Sequence, residues 1–182
     1  LDEGRVANHT FKVDLPNYGV FDEKRVFAPG PVPTPMKVRG VHLGVPVCED
    51  IWTAGVCAAL AQGGAEILVV PNGSPFEAGK EDVRRTLADA RVRETGLPLI
   101  YLNQLGGQDE LVFDGASFVM NAGGEIALAL PGWEEKVVVS DWSRGGDGKW
   151  TCAPGDKFAP ESREAQVYHA MMLGLRDYVN KN

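Results

Sequence analysis

The middle of the chain alternates three short apolar runs with two longer amphipathic patterns. Residues 41–47 (VHLGVPV), 67–70 (ILVV) and 99–102 (LIYL) have the composition of buried strands, and a run such as ILVV is typical of a parallel strand covered on both faces. Helical patterns occupy residues 51–62 and 80–95. The order strand, helix, strand, helix, strand predicts an α/β fold built on a parallel sheet.

Both flanks of this region are predicted to add strands. Towards the C-terminus, ASFVMN, EIALAL and KVVVSDW follow one another without a helix between them, which indicates antiparallel strands that extend the sheet. Towards the N-terminus, residues 5–13 alternate weakly, as a strand does, and residues 15–35 carry enough Pro and Gly to predict a structured loop. A loop of that length is usually functional.

The length bounds the domain organisation, because 182 residues are many for one domain and few for two. We therefore predict one main domain over residues 1–142, an exposed linker over residues 143–160 and a helix over residues 161–182. An apolar stripe on that helix is formed by Val167, Met171, Leu175 and Tyr178. The stripe suggests that the helix leads into a further part of a longer protein.

The charge excludes one large class of partner. The formal net charge is -7, from 18 Lys and Arg against 25 Asp and Glu, and the basic residues form no stripe, so no nucleic-acid surface is predicted. No apolar run approaches the roughly 18 residues that a membrane span needs, and the first residues lack the pattern of a signal peptide. We expect a cytoplasmic protein that binds a small molecule and no membrane.

The cysteines supply a candidate nucleophile. Cys48, Cys57 and Cys152 lack the spacing of a zinc site or a disulfide framework, so no metal site is predicted. Cys48 follows an apolar strand and precedes the first turn of a predicted helix, where backbone N–H groups favour a thiolate. A buried structural cysteine is the alternative. Cys57 lies within the helix among small apolar residues and is assigned to the core.

An oxyanion forms when a thiol attacks an amide, and it needs hydrogen-bond donors and a fixed cation. The backbone N–H of Glu49 is the donor next to Cys48 along the chain. Lys12 is the candidate cation, because it ends an otherwise apolar stretch (TFKV) at the start of the long loop. A solvated surface lysine is the alternative.

The segment NGSPFEAGK follows a predicted parallel strand, which is where α/β proteins bind ligands. It is not a phosphate loop, because five residues rather than four separate Gly73 from Gly79, and Glu81 stands where Ser or Thr must meet magnesium. Ser74 and Lys80 are candidate ligand contacts. The alternative is that they only form the turn and the start of the next helix.

Several segments together resemble one family. They are KVDLPNYGVFDEKRVF, VCEDIW, AQGGAEILVVPNGSPFEAGK, RVRETGLPLIYLNQLGGQDELVFDGASFV and MMLGLRDYVNKN, and they span residues 12–182 almost without a gap. The combination is similar to the glutaminase domain of glutamine-dependent NAD+ synthetases, a branch of the nitrilase (carbon-nitrogen hydrolase) superfamily. The resemblance implies an α-β-β-α sandwich and a Glu-Lys-Cys triad with Cys as nucleophile and Glu as general base.

The resemblance also assigns roles to positions of this chain. Cys48 of CEDIW takes the place of the nucleophile, and Lys12 of KVDLPNY that of the lysine that holds the oxyanion. Glu23 of FDEKR resembles a further catalytic glutamate beside that lysine. The implied substrate-binding residues are Tyr18, Trp52, Ser74, Phe76 and Lys80. A lysine that faces the α-carboxylate of glutamine distinguishes it from an ordinary amide.

The same resemblance predicts that the chain is incomplete at both ends. The family's general-base glutamate lies well upstream of the lysine, whereas the only acidic residues before Lys12 are Asp2 and Glu3, which are too close to it. The first strands of the sandwich are expected upstream as well. Such synthetases continue into an ATP-pyrophosphatase domain with an S-G-G-x-D-S loop, which this chain lacks. We expect ATP and Mg2+ to bind in that absent domain and no cofactor to bind here.

The resemblance thus implies a glutamine amidohydrolase that releases ammonia through a thioester on Cys48. The ammonia would amidate deamido-NAD+ in the synthetase domain of the same polypeptide. Members of the superfamily commonly assemble, so a homo-oligomer is expected. Two alternatives stay open: a stand-alone amidase of the same superfamily, and a non-catalytic scaffold domain, which the missing glutamate permits.

Overall fold

The computed structural model describes residues 4–181. The helices are α1 (Glu23–Val26), α2 (Gly55–Gln62), α3 (Lys80–Thr95) and α4 (Arg163–Lys181), and a 3₁₀ turn spans Cys48–Ile51. The strands are β1 (Met36–Val38), β2 (Val41–Gly44), β3 (Ile67–Asn72), β4 (Leu99–Asn103), β5 (Leu105–Gln108), β6 (Leu111–Asp114), β7 (Phe118–Met120), β8 (Ile126–Ala129), β9 (Trp142–Arg144) and β10 (Trp150–Cys152).

Six strands form one mixed sheet in the order β1-β2-β3-β4-β7-β8. β2, β3 and β4 are parallel, with Leu43 opposite Ile67 and Leu68 opposite Leu99. β7 and β8 add antiparallel strands to β4, so the parallel centre and its antiparallel extension are both confirmed. Because parallel strands end at the same edge of a sheet, the residues that follow β2, β3 and β4 meet there.

Helices α2 and α3 cover one face of this sheet. Leu60 of α2 and Val92 of α3 are fully buried in one cluster with Leu68 and Leu99 of the strands. Each such side chain contributes about 1.5–3 kcal/mol when it leaves water. Cys57 lies in the same cluster, and burial raises the pKa of its thiol to about 12. The assignment of Cys57 to the core is confirmed.

The opposite face of the sheet is apolar and only partly covered, with Val119 and Leu128 buried in one cluster with Cys152. A groove of about 270 Å³ on this face is lined in part by Ile100, Leu102, Leu130, Val137 and Val138. Leu102 is 55% exposed although it belongs to a central strand. The described residues therefore contain one helical layer and one sheet layer of the sandwich that the sequence predicted.

Two of the predicted strands do not form. Residues 6–13 have no regular structure, and of residues 136–142 only Trp142 belongs to a strand, β9. Val137 is 99% exposed. A β-branched residue favours extended backbone, but a strand is stable only with a hydrogen-bonded neighbour and a face to bury. Val137 buries no face in the described part of the chain.

Part of the predicted linker, residues 143–160, is structured. β9 and β10 pair antiparallel at its start, and Cys152 at the end of β10 is 1% exposed. The Asn121 side chain accepts a hydrogen bond from the Cys152 N–H (2.8 Å) and donates one to the Cys152 carbonyl (3.0 Å). The prediction of an exposed linker is wrong for this hairpin, because a buried amide and a buried thiol fasten it to the sheet.

The C-terminal helix that the sequence predicted is present as α4, and it packs on the hairpin of β5 and β6. A Cβ atom added to Gly107 would lie 3.1 Å from the Cα of Gly174, so helix and hairpin are in close contact. Asp177 accepts a hydrogen bond from the Gly107 N–H at 2.7 Å. Leu173 is the buried residue of α4, whereas the apolar stripe identified in the sequence faces outward. No helix among residues 4–181 is long and apolar enough for a membrane span.

Candidate active site

Cys48 stands in a strained turn between β2 and α2. Its φ is +51°, in the left-handed region, which costs a non-glycine residue about 1–3 kcal/mol and is often found at functional sites. The 3₁₀ turn follows at once, so the helix predicted over residues 51–62 begins only at Gly55. The Glu49 N–H lies in the first turn, where backbone donors have no partner within the helix.

The Asp50 carboxylate joins the segment of Lys12 to the segment of Cys48. Its Oδ1 accepts hydrogen bonds from the N–H groups of Val13 (3.0 Å) and Asp14 (2.7 Å), and its Oδ2 accepts one from the Val47 N–H (2.8 Å). Asp50 itself is fully buried. One buried anion therefore fixes the backbone directly after Lys12 relative to the backbone directly before Cys48. Sequence reasoning missed this residue.

Lys12 and Glu23 form a close pair beside the cysteine. The Lys12 Nζ lies 2.6 Å and 2.7 Å from the two carboxylate oxygens of Glu23, and both side chains are largely buried. Glu23 is the first residue of α1, which begins inside the Pro- and Gly-rich loop. The loop that was predicted to be functional thus supplies the carboxylate that orients the lysine ammonium.

The sulfur of Cys48 is under opposing electrostatic influences. Burial raises the pKa of its thiol, the Lys12 ammonium and a hydrogen bond from the Gly73 N–H lower it, and the Glu49 and Glu23 carboxylates raise it again. The balance lies above the ordinary thiol value. The net effect favours the thiol over the thiolate, so Cys48 needs a base in order to attack.

Tyr18 contacts the residue directly after Cys48, and Lys80 is the first residue of α3. The Tyr18 hydroxyl donates to the Glu49 carboxylate at 2.9 Å and 3.0 Å. Burial is the largest cause that raises the pKa of Tyr18, the Glu49 carboxylate adds to this effect, and Cys48 and Glu77 act in the same direction. The Lys80 ammonium is 2.8 Å from Glu77. The charge of Glu77, in the loop that precedes α3, thus acts on the Tyr18 hydroxyl.

Ser74 is held in a buried polar cluster. Its N–H donates to Asn103 Oδ1 at 3.0 Å, its hydroxyl accepts from the Arg84 guanidinium at 3.1 Å, and its carbonyl accepts from the same guanidinium at 2.8 Å. Arg84 also pairs with Asp114 at 2.7 Å. The sequence carried a signal for this cluster, because Arg84 occupies the same helical stripe as the buried residues Ala88 and Val92.

Phe76 and Trp52 are the remaining predicted substrate contacts, and they lie on two different elements of the fold. Phe76 follows Ser74 in the same loop, and its ring packs edge-on against Trp133 at 5.0 Å. Trp133 also stacks with His169 of α4 at 6.2 Å. Trp52 ends the 3₁₀ turn and is 37% exposed. The structure brings Lys12, Glu23, Cys48, Glu49 and Tyr18 together, with the residue 73–80 loop facing them.

No carboxylate within residues 4–181 is assigned the role of general base. The sequence placed it upstream of residue 1, and Asp2 and Glu3 lie outside the described residues. Glu23 is engaged by Lys12, and burial raises the pKa of Glu49, although the Tyr18 hydroxyl and Lys12 oppose this effect. Within residues 4–181 no group of three His, Cys, Asp or Glu side chains has the arrangement of a metal site.

Two comparisons agree on the relatives of the chain. It is 53% identical over all 182 residues to the glutamine-dependent NAD(+) synthetase of Rhodobacter capsulatus, and it spans 33% of that protein's length. The structure of the glutamine-dependent NAD+ synthetase from Acinetobacter baumannii matches 99% of the chain with a TM-score of 0.90 and 37% identity, and the match covers 34% of that structure. The chain thus corresponds to about a third of these proteins.

A third relative is a smaller protein. An amidase of the nitrilase superfamily from Nesterenkonia matches 66% of the chain with a TM-score of 0.57 and 34% identity, and the match covers 44% of that structure. These matches confirm the nitrilase-type α/β fold. The family model described as carbon-nitrogen hydrolase matches residues 2–150. The chain therefore belongs to the carbon-nitrogen hydrolase family.

Proposed function

We propose that this chain is the glutamine-hydrolysing part of a glutamine-dependent NAD+ synthetase. The relatives that match its full length carry that name, which supports this proposal. The observation that carries it is local. The Asp50 carboxylate holds the Lys12 segment against a strained Cys48, and the Lys12 charge acts on the cysteine sulfur.

The first half-reaction forms a thioester. Cys48 loses its proton as its sulfur attacks the side-chain carbonyl carbon of glutamine, because burial disfavours a preformed thiolate. The negative charge that develops on the carbonyl oxygen is stabilised by the Lys12 ammonium and the Glu49 N–H. When the tetrahedral intermediate collapses, the C–N bond breaks and the base returns the proton to nitrogen, so ammonia leaves. The base is the glutamate that we expect upstream of residue 1.

The second half-reaction restores the enzyme. A water molecule attacks the thioester carbonyl, the C–S bond breaks, and glutamate leaves while Cys48 regains its proton. Lys12 and the Glu49 N–H stabilise the second oxyanion as they did the first. Glu23 keeps the Lys12 ammonium oriented throughout, because the pair is short and largely shielded from water.

Substrate selection rests on the loop from residue 73 to residue 80. Lys80 offers an ammonium for the α-carboxylate of glutamine, and its side chain is mostly covered rather than solvated. Its present partner, Glu77, is largely exposed and can be released to water when a carboxylate ligand arrives. The other residues of the proposed glutamine pocket are Tyr18, Trp52, Ser74 and Phe76.

The rest of the activity belongs to parts of the natural protein beyond this chain. Ammonia passes to a synthetase domain of the same polypeptide, where ATP and Mg2+ support the amidation of deamido-NAD+. A homo-oligomer in the cytoplasm completes the proposal. Ammonia released into water at neutral pH becomes ammonium, which is no longer nucleophilic. A protected route for ammonia between the two parts of the protein is therefore expected.

The deciding experiment is glutamine hydrolysis by the natural full-length protein. Cys48→Ala should abolish ammonia release from glutamine, while synthesis of NAD+ from added ammonia should remain. Cys57→Ala is the matched control, because that thiol is sealed in the core. Ammonia release by Cys48→Ala at the rate of the unaltered protein would contradict the proposal.

A stand-alone amidase is the second candidate, and one comparison favours it. In a variant of the Nesterenkonia amidase, the acetamide moiety of fluoroacetamide is added covalently at the active-site cysteine of that protein. The two functions differ in the α-amino and α-carboxylate groups of the substrate. A full-length protein that hydrolyses acetamide and glutamine with equal kcat/KM would support the amidase, whereas a strong preference for glutamine would support the glutaminase.

A further inference from the structure

Gly107 and Val112 face each other across the hairpin of β5 and β6. Helix α4 takes both polar groups of the Gly107 backbone. The N–H donates to the Asp177 carboxylate at 2.7 Å, and the carbonyl accepts from the Lys181 ammonium at 2.5 Å. The Asp177 side chain is largely buried, so water competes little for its hydrogen bond. Helix α4 therefore holds the hairpin by the backbone of β5.

Val112 connects the hairpin to the loop from residue 73 to residue 80. Its carbonyl accepts a hydrogen bond from the Phe76 N–H at 2.7 Å. Its side chain packs on α4, because a Cβ atom added to Gly174 would lie 3.1 Å from Val112 Cγ2. Val112 thus touches α4 with a methyl group and holds the Phe76 backbone with its carbonyl.

The Phe76 ring reaches α4 by a second route. It packs edge-on against the Trp133 ring at 5.0 Å, and the Trp133 ring stacks with His169 of α4 at 6.2 Å. The peptide before Phe76 has two supports, because Arg84 donates to its carbonyl at 3.0 Å and Val112 accepts from its N–H. Arg84 therefore fixes one side of this peptide, whereas the other side and the ring of Phe76 rest on residues that α4 contacts.

The position of the hairpin depends on α4, because β5 and β6 form a two-stranded sheet of their own and such a sheet is only marginally stable without packing. We propose that Asp177 is a positioning residue for glutamine binding. It holds Gly107 and thereby the hairpin, and through Val112 it fixes the backbone of Phe76. The inference rests on the proposed function, in which Phe76 contacts glutamine.

Asp177→Ala tests this inference in the natural full-length protein, with Asp177→Asn as the conservative variant. Alanine offers no acceptor to the Gly107 N–H, whereas the amide oxygen of asparagine still accepts from it. The matched control is Asp147→Ala in the exposed turn between β9 and β10, where Asp147 accepts from the Lys149 N–H at 3.1 Å. Two readouts are needed: steady-state hydrolysis of glutamine, and hydrogen exchange of the Phe76 amide measured by mass spectrometry.

We expect Asp177→Ala to raise KM for glutamine about three- to tenfold and to leave kcat within about twofold, because the reacting atoms are held by other residues. The Phe76 amide should exchange about tenfold faster. Asp177→Asn and Asp147→Ala should stay within about twofold of the unaltered protein in both readouts. A merely structural role would lower thermal stability and leave KM and the exchange rate in place. That result, or an Asp177→Asn variant that behaves as Asp177→Ala does, would overturn the inference.

A second variant decides the matter if Asp177→Ala does not fold. Gly174→Ala favours the helix, but its Cβ atom crowds Val112 Cγ2 and so displaces the hairpin. It should raise KM about threefold, and the added change Val112→Ala, which removes the crowded methyl group, should restore KM. An unchanged KM in Gly174→Ala would refute the proposal.

The exchange measurement separates this proposal from the proposed function. If the unaltered protein and Asp147→Ala do not hydrolyse glutamine, the proposed function fails, but exchange of the Phe76 amide still reports on Asp177. Faster exchange in Asp177→Ala alone would then support the positioning of Phe76, and equal exchange in all variants would refute it.

Discussion

Replacement of Asp50 tests whether one buried carboxylate holds the two halves of the site together. Asp50→Ala leaves the N–H groups of Val13, Asp14 and Val47 without their acceptor. An unsatisfied donor costs about 1–3 kcal/mol when it is buried. Because these segments are only half-buried and water can reach part of them, we expect a total loss of about 3–5 kcal/mol.

Asp50→Asn gives a smaller loss with a distinct cause. The amide oxygen can still accept from Val13 and Asp14, but its NH₂ group then faces the Val47 N–H, so one hydrogen bond is replaced by a contact between two donors. We expect a destabilisation of about 2 kcal/mol. A displacement of Lys12 relative to Cys48 by about 1 Å is sufficient to lower kcat by about a hundredfold.

Urea unfolding and glutamine turnover of the full-length protein measure the two effects separately. Turnover is compared below the melting temperature of each variant, where all chains are folded. Asp109→Asn is the matched control, because Asp109 is exposed in a turn with φ of +50°, which asparagine tolerates equally well. If Asp50→Ala unfolded within about 0.5 kcal/mol of the unaltered protein and kept its kcat, the clamp that we describe would not exist.

The electrostatics of the site give two further predictions. Lys12→Met removes a charge that lowers the pKa of Cys48, so the midpoint of Cys48 alkylation should move to higher pH. Glu23→Gln removes a charge that raises this pKa, so the midpoint should move to lower pH, and each shift should be about half a unit to one unit. Equal shifts in the same direction would contradict the charge balance. Lys80→Met should raise KM for glutamine about 10- to 100-fold with little change in kcat, and an unchanged KM would remove Lys80 from the pocket.

The strands and helices of the middle of the chain could be predicted from the sequence because burial imposes their pattern. Helices cover one face of ILVV and LIYL, and the charged pattern over residues 80–95 coincides with α3. Residues 136–142 were predicted wrongly, since valines favour extended backbone whether or not a neighbouring strand exists to pair with them. Whether a segment pairs with a neighbouring strand depends on the whole fold and cannot be predicted from its own composition.

The site was accessible to sequence reasoning only in part. Residue type alone indicates the chemistry of Cys48, Lys12 and Glu23, and the structure brings the three residues together. Asp50 was overlooked because an acidic residue in the first turn of a helix already has an ordinary explanation, the helix dipole. Its actual partners include two backbone N–H groups more than 30 positions away, and no spacing in the sequence indicates such a contact.

Covalent labelling of the natural full-length protein by a reactive ketone analogue of glutamine examines the nucleophile itself. The site described here predicts that the label maps to the peptide that contains Cys48, that an excess of glutamine prevents it, and that Lys12→Met slows it. Cys57 and Cys152 are buried and should stay unmodified. An unlabelled Cys48, or labelling that glutamine does not reduce, would contradict the assignment of this cysteine as the residue that attacks the substrate.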